Sequence, residues 1–198
     1  MDPTPPANAS PLLDEVVVAS EVVHRGRHLS LRIDTIERGD GSRATREIVG
    51  HPGAVAIVAV DADGRVALVR QFRLAAGTAL LEIPAGTLDV DPATGAVEDP
   101  DAAARRELEE ETGLRAGSWR RLASFWTAPG FATELMHLYL ATDLTPAQLD
   151  RLGPEDDERL ELEWRPFDDA VAAATRGEFH DAKSLLGLLL VDRVGRAP

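Results

Sequence analysis

The segment RELEEETGL, residues 106–114, says more about this chain than any other. The residues around it delimit a helix: Asp99 is placed to cap the N-terminus, Pro100 suits the first helical position, and Gly113 supplies the stop. Along that helix Glu107, Glu110 and Glu111 stand at i, i+3 and i+4, so three carboxylates share one face. A charge run is most often a solvated face, but such a face normally interleaves Lys or Arg with its acids. An unbroken stripe of carboxylates is what a hard divalent cation wants: oxygen ligands with some water retained. Arg106 is placed to brace the carboxylates, and Arg105 and Glu109 form an i, i+4 pair facing solvent. Ala103 and Ala104 are small enough to let a loop approach.

Outward from the helix the pattern is mostly strand. Residues from Val16 to Ile36 are rich in β-branched side chains, and HLSLRIDTIE (His28–Glu37) alternates at period two. Leu29, Leu31 and Ile33 are expected on one side, with Ser30, Arg32 and Asp34 on the other. Gly39-Asp40-Gly41 reads as a hairpin turn and Thr45–Val49 as its return strand. Such a small antiparallel sheet has edges that must pair or pack with something. After Pro52-Gly53, AVAIVAV (Ala54–Val60) lacks polar alternation, which predicts a strand buried on both faces. Asp61–Gly64 turns into Val66–Arg70, Ala79–Gly86 reads as one further strand, and Thr87–Glu98 as turns. Leu122–Trp126, Glu134–Ala141 and Leu160–Phe167 read as strands and Thr145–Asp157 as a loop. Asp168–Arg176 and Asp181–Val191 read as helices, the last packing on a sheet through its leucines. The fold class is therefore α/β, a sandwich with a mixed sheet, divided into a leader (1–12), a small N-terminal antiparallel sheet (13–50) and a main domain (51–198).

Composition narrows the function. With 198 residues and 44% hydrophobic content the chain can bury a core. Lys plus Arg is 21 against 34 Asp plus Glu, a net charge of −13, which excludes a general nucleic-acid or anionic-membrane binder. A phosphate-bearing ligand would need local arginines or metal ions to reverse that field. The absence of cysteine removes disulfides, thiolate zinc sites and cysteine nucleophiles together. The start MDPTPPANASP is unlike a signal peptide, and no apolar run approaches a membrane span, so a cytoplasmic location is expected. The five histidines show no ligand or triad spacing, and Ser124 and Ser184 lack a nucleophile elbow.

Glu98, seven residues, then Arg106-Glu107-Leu108-Glu109-Glu110-Glu111-Thr112-Gly113-Leu114 resembles the Nudix box, G-x5-E-x7-REUxEExGU with U apolar. The nine-residue core fits at every specified position. One departure stands out: the motif's glycine position holds Pro92, while Gly86 in Pro84-Ala85-Gly86 lies eleven residues before Glu98. Residues Val90–Gly95 therefore read as a six-residue insertion. Four further segments are similar to the ADP-ribose pyrophosphatase branch of the Nudix hydrolase family: His51–Arg73, Leu80–Gly86, Ala128–Glu134 and Glu155–Ala170.

That resemblance implies a Nudix-type α/β/α sandwich that hydrolyses ADP-ribose, or a related ADP-sugar, to AMP and ribose 5-phosphate. It implies Mg²⁺, or Mn²⁺ in its place, held by the carbonyl of Ala85 and the carboxylates of Glu107, Glu110 and Glu111, with Glu158 completing the shell. Asp156 is implied as general base with Glu155 as its rival, and Glu107 counts with the catalytic group. Arg70 and Arg73 are implied to face the phosphates or terminal ribose, Glu82 to orient an arginine or ribose, and Glu134 to bind substrate. Arg46 resembles an arginine that packs on the adenine of a neighbouring subunit's ligand, which implies a homodimer with exchanged N-terminal strands. GDP-mannose, NADH or an oxidised nucleotide are alternative substrates. A catalytically silent nucleotide-binding regulator is the alternative of another class, disfavoured because Glu107, Glu110 and Glu111 are all present.

Overall fold

The computed structural model describes residues 14–147 and 159–195, which fall into two compact units. The first comprises residues 14–53 with 124–136, and the second the remainder. In the first, β1 (Glu15–Arg25), β2 (Ser30–Arg38) and β3 (Arg43–Gly50) form an antiparallel sheet in that order. Gly41, at φ +80°, makes the tight β2–β3 turn that a side chain would strain. The alternation of β2 is present, but its buried residues are Asp34 and Ile36, while Leu29 is exposed. Asp34 tolerates burial because Ser20 Oγ donates to it at 2.6 Å and Arg32 Nε at 2.8 Å. β1 is an edge strand exposed along its whole length, including Val16, Val17, Val18, Val22 and Val23.

The second unit is built on β4 (Ala54–Val60), β5 (Arg65–Arg73), β6 (Thr78–Glu82) and β7 (Ala85–Thr87), followed by α1 (Pro100–Thr112). Then come β8 (Leu114–Trp126), β9 (Leu135–Pro146), β10 (Leu160–Pro166), α2 (Phe167–Thr175) and α3 (Ala182–Val194). The strands form a mixed sheet in the order β10-β5-β4-β9-β8, with β6 paired to β5 and β7 to β4. β4 is buried at every position, as its continuous apolar run predicts. Val55, Ile57 and Ala59 pack with Ala103, Ala104 and Leu108 of α1. The opposite side of β4 receives α3: a Cβ on Gly187 would lie 2.9 Å from Val58 and 3.0 Å from Ile83, so glycine lets this helix sit directly on the sheet. Helices on both faces make the α/β/α sandwich.

Three details differ from the sequence reading. The expected strand Ala79–Gly86 is two, because Pro84 offers no N–H to a ladder and the chain changes partner from β5 to β4 there. β8 begins at Leu114, immediately after the helix, rather than at Leu122. The expected loop from Thr145 falls mainly outside the described residues, and β9 reaches Pro146 before it.

Candidate active site

Helix α1 starts as its caps dictate: Asp99 accepts from the N–H groups of Asp101 and Ala102, and Gly113 closes it at φ +67°. Arg106 is the hub of the acidic face. Its guanidinium donates to Glu98 at 2.8 Å, Glu107 at 2.7 Å, Glu110 at 2.8 Å and the carbonyl of Thr87 at 3.3 Å. Burial opposes its charge, but these carboxylates prevail and hold the guanidinium more firmly protonated than usual. Arg106 thus offsets the repulsion within the stripe. The Val90–Gly95 segment does not disturb this, because the Val90–Val97 bridge and the Glu98 N–H to Asp89 carbonyl bond (2.8 Å) close the loop at its neck. In place of the expected Arg105–Glu109 pair, Arg115 donates to Glu109 at 2.5 and 2.8 Å and Arg105 lies over Trp119, 5.0 Å from its ring centre. A flat guanidinium covering an aromatic face buries more apolar surface than a solvent-exposed ion pair.

Opposite the acidic face stands β7. Ala85 N–H donates to Glu111 at 2.9 Å. Glu107 lies so close to Gly86 that a Cβ there would meet its carboxyl carbon at 1.9 Å. Glu107 and Glu111 are both buried. Two carboxylates are therefore pressed against the backbone of residues 85–86, an oxygen-rich cradle that only glycine at position 86 leaves open. Among the described residues no three acids or histidines form a closed metal cage. The donor set nonetheless fits a hard divalent cation: carboxylate and backbone oxygens, with places left for water or substrate.

Beside the cradle, Glu82 at the end of β6 is 2% exposed. Arg73 grips it with two parallel bonds, Nε to Oε1 at 2.9 Å and Nη2 to Oε2 at 2.8 Å, and Lys183 of α3 donates to Oε2. Glu82 thus orients an arginine, and Lys183, absent from the sequence reading, is a second cation on it. Arg70 is three residues from Arg73 and projects from the other side of β5, where it donates to Glu163 of β10 at 2.8 Å. The structure does not bring Arg70 into the Arg73 cluster. In the first unit, Arg46 of β3 is paired with Glu15 of β1. Glu134 accepts from Thr127 and faces His51 Nε2 at 3.6 Å, and His51 Nδ1 accepts from Gly53 N–H at 3.0 Å. Burial lowers the His51 pKa, against the pull of Glu134. Glu155, Asp156 and Glu158 lie outside the described residues.

The buried carboxylates predict a pH response. Burial alone would raise Glu82, but the Arg73 bonds and the Lys183 charge outweigh it and hold the group below its ordinary 4.5. Glu98 is likewise held low, against burial, by Arg106. A depressed folded-state pKa contributes stability that is complete above 4.5 and is lost as pH falls through the folded value. The denaturation midpoint in urea is therefore expected to drop between pH 7 and pH 3. Glu82→Gln should flatten that drop while lowering stability at pH 7 by about 3 kcal/mol, since buried Lys183 and partly exposed Arg73 lose a shared counter-charge. A steep drop retained in Glu82→Gln would count against Glu82 as a source.

The family model of the NUDIX domain matches residues 50–187, and that of the nucleoside diphosphate sugar hydrolase N-terminal domain matches residues 15–49. The chain is 37% identical over 172 residues to the ADP-ribose pyrophosphatase of Bacillus subtilis, covering 87% of this chain and 89% of that one. It is 39% identical over 181 residues to the ADP-ribose pyrophosphatase of Mycobacterium tuberculosis, covering 91% and 84%. A crystal structure of an ADP compounds hydrolase superposes with a TM-score of 0.76 over 96% of this chain and 100% of that one, at 24% identity.

Proposed function

The chain belongs to the NUDIX family and is a hydrolase, and from that premise we propose that it splits the pyrophosphate of ADP-ribose, or a closely related ADP-sugar, into AMP and ribose 5-phosphate. The observation that carries this reading is the cradle in which Glu107 and Glu111 press on Gly86 and Ala85. Ala85, Glu107, Glu110 and Glu111, with Glu158, would hold Mg²⁺, or Mn²⁺ in its place. When bound, such ions neutralise pyrophosphate oxygens and lower the pKa of coordinated water. Arg73, fixed along one edge by Glu82, presents its other edge to the phosphates. A carboxylate oxygen of Asp156, with Glu155 the rival, takes the proton of the attacking water. Glu134 is assigned to the ribose, and Arg46 to the adenine of the neighbouring subunit's ligand.

That last role needs a homodimer. The reading is supported by β1, an exposed valine-rich edge strand that a lone protomer leaves in water. Light scattering is expected to give the mass of two chains, and a stable monomer at micromolar concentration would overturn the exchanged-strand arrangement. No helix among the described residues is long and apolar enough to cross a membrane, and we place the protein in the cytoplasm.

The deciding experiment incubates the chain with ADP-ribose, GDP-mannose, NADH and an oxidised nucleoside triphosphate, with Mg²⁺ or Mn²⁺, and identifies products by chromatography. AMP and ribose 5-phosphate from ADP-ribose at the highest kcat/KM is the expected result. Faster cleavage of another substrate would reassign the specificity, and no cleavage of any would favour a nucleotide-binding regulator.

A further inference from the structure

The chain contains twenty arginines and a single lysine, Lys183. That lysine is 9% exposed at the start of α3, where its ammonium lies on Glu82 Oε2 and 3.0 Å from Asp181 Oδ2. Lysine differs from arginine in presenting a compact point charge, which suits a confined position where a guanidinium fork does not fit. The surroundings hold it in place. Asp181 caps α3 by accepting from Ser184 N–H at 3.0 Å and Ser184 Oγ at 2.5 Å, and Ser184 Oγ in turn accepts from Ile83 N–H at 2.8 Å. The helix terminus is thus bonded to the residue after Glu82, and Gly187 lets the next turn rest on Val58 and Ile83. Lys183 and Ser184 are the link between α3 and the end of β6.

Glu82 receives two cations with unequal access to solvent. Arg73 has 38% of its side chain exposed, whereas Lys183 has 10%. The bidentate grip uses the Nε–Nη2 edge of Arg73, which leaves the Nη1 edge directed away from Glu82. Lys183, whose own charge is shared with Asp181, binds Glu82 from the buried side and pins its rotamer, so that Arg73 meets a fixed carboxylate. We infer that Lys183 is a positioning residue: it holds Glu82 so that Arg73 keeps its aim on the pyrophosphate. This rests on the reading of Arg73 as the phosphate-binding arginine.

The test compares Lys183→Met in the native chain and in an Arg73→Ala background, using ADP-ribose as probe. Its Kd is measured in metal-free buffer, where no turnover interferes, and kcat and KM with Mg²⁺. Because contacting groups couple strongly, Lys183→Met is expected to weaken ADP-ribose binding about tenfold in the native background and less than about twofold once Arg73 is Ala. KM should rise by a similar factor while kcat changes less. Lys183→Gln keeps an N–H donor for Glu82 without the charge, and supplies the same comparison should the methionine variant not fold. Equal losses in both backgrounds, or a fall in kcat at unchanged KM, would show a purely structural lysine and overturn the inference alone. If Arg73→Ala leaves the Kd of ADP-ribose unaltered, or the native chain does not bind it, the reading of Arg73 fails and takes this inference with it.

Discussion

Glu111→Gln is expected to lower kcat/KM on the nucleotide-sugar substrate by about a thousandfold or more while leaving the fold intact. The substitution keeps the shape of the side chain and an oxygen able to accept from Ala85 N–H, so the bond at 2.9 Å survives. What is lost is one negative charge in the cradle. Charge stabilisation by a catalytic metal is worth several kcal/mol, and each 1.36 kcal/mol is tenfold in rate, which sets the scale. Glu109→Gln is the control on the same helix. Glu109 faces Arg115 away from the cradle, and its replacement should change kcat/KM less than about twofold because an exposed ion pair contributes little. Melting temperatures measured alongside separate charge from folding. Equal losses in both variants would mean that helix stability, not the cradle, is being read.

Gly86→Ala is the second large effect, and it dissociates activity from stability. Its Cβ would stand 1.9 Å from the Glu107 carboxyl carbon and about as close to both oxygens, at 2.0 and 2.2 Å. All three atoms belong to the far end of one flexible side chain, and Gly86 is not among the glycines with positive φ. The backbone can therefore accept alanine, and Glu107 yields by rotating away. A displacement of an ångström at a reacting centre costs about a hundredfold in rate, and that is the expected loss in kcat. Stability should stay within about 1 kcal/mol of native, as for substitutions that create no cavity or buried orphan. A variant that unfolds would show that Glu107 cannot move, and one with full activity would remove Glu107 from the site.

Much of this was legible in the chain. The caps of α1, the doubly buried β4 and the hairpin turns follow from local rules, since proline, glycine and the spacing of apolar residues act over a few positions. The box RELEEETGL and the position of Gly86 identify the acidic face, because i, i+3 and i+4 are neighbours on any helix. Less legible was everything that depends on distant pairing. Alternation along His28–Glu37 marks two faces but not which is buried, and Asp34 lies inside because Ser20 of β1 and Arg32 both donate to it. The Arg105–Glu109 pair is permitted by spacing, yet Trp119 and Arg115 on β8 supply better partners for each.

Arg70 and Arg73 illustrate the same limit, since a strand sends residues three apart to opposite sides and β10 claims the first of them. Lys183 is the sharpest case. Besides Asp181 nearby, its carboxylate partner Glu82 lies 101 positions away, and Gly187 admits the helix that brings the two together. Local chemistry is written in neighbouring residues, so the fold class and the acidic helix could be read from order and spacing, and Gly86 from the resemblance to the Nudix box. Which charge meets which is settled by sheet register and helix docking, where contacts between residues far apart in the chain outweigh every local preference.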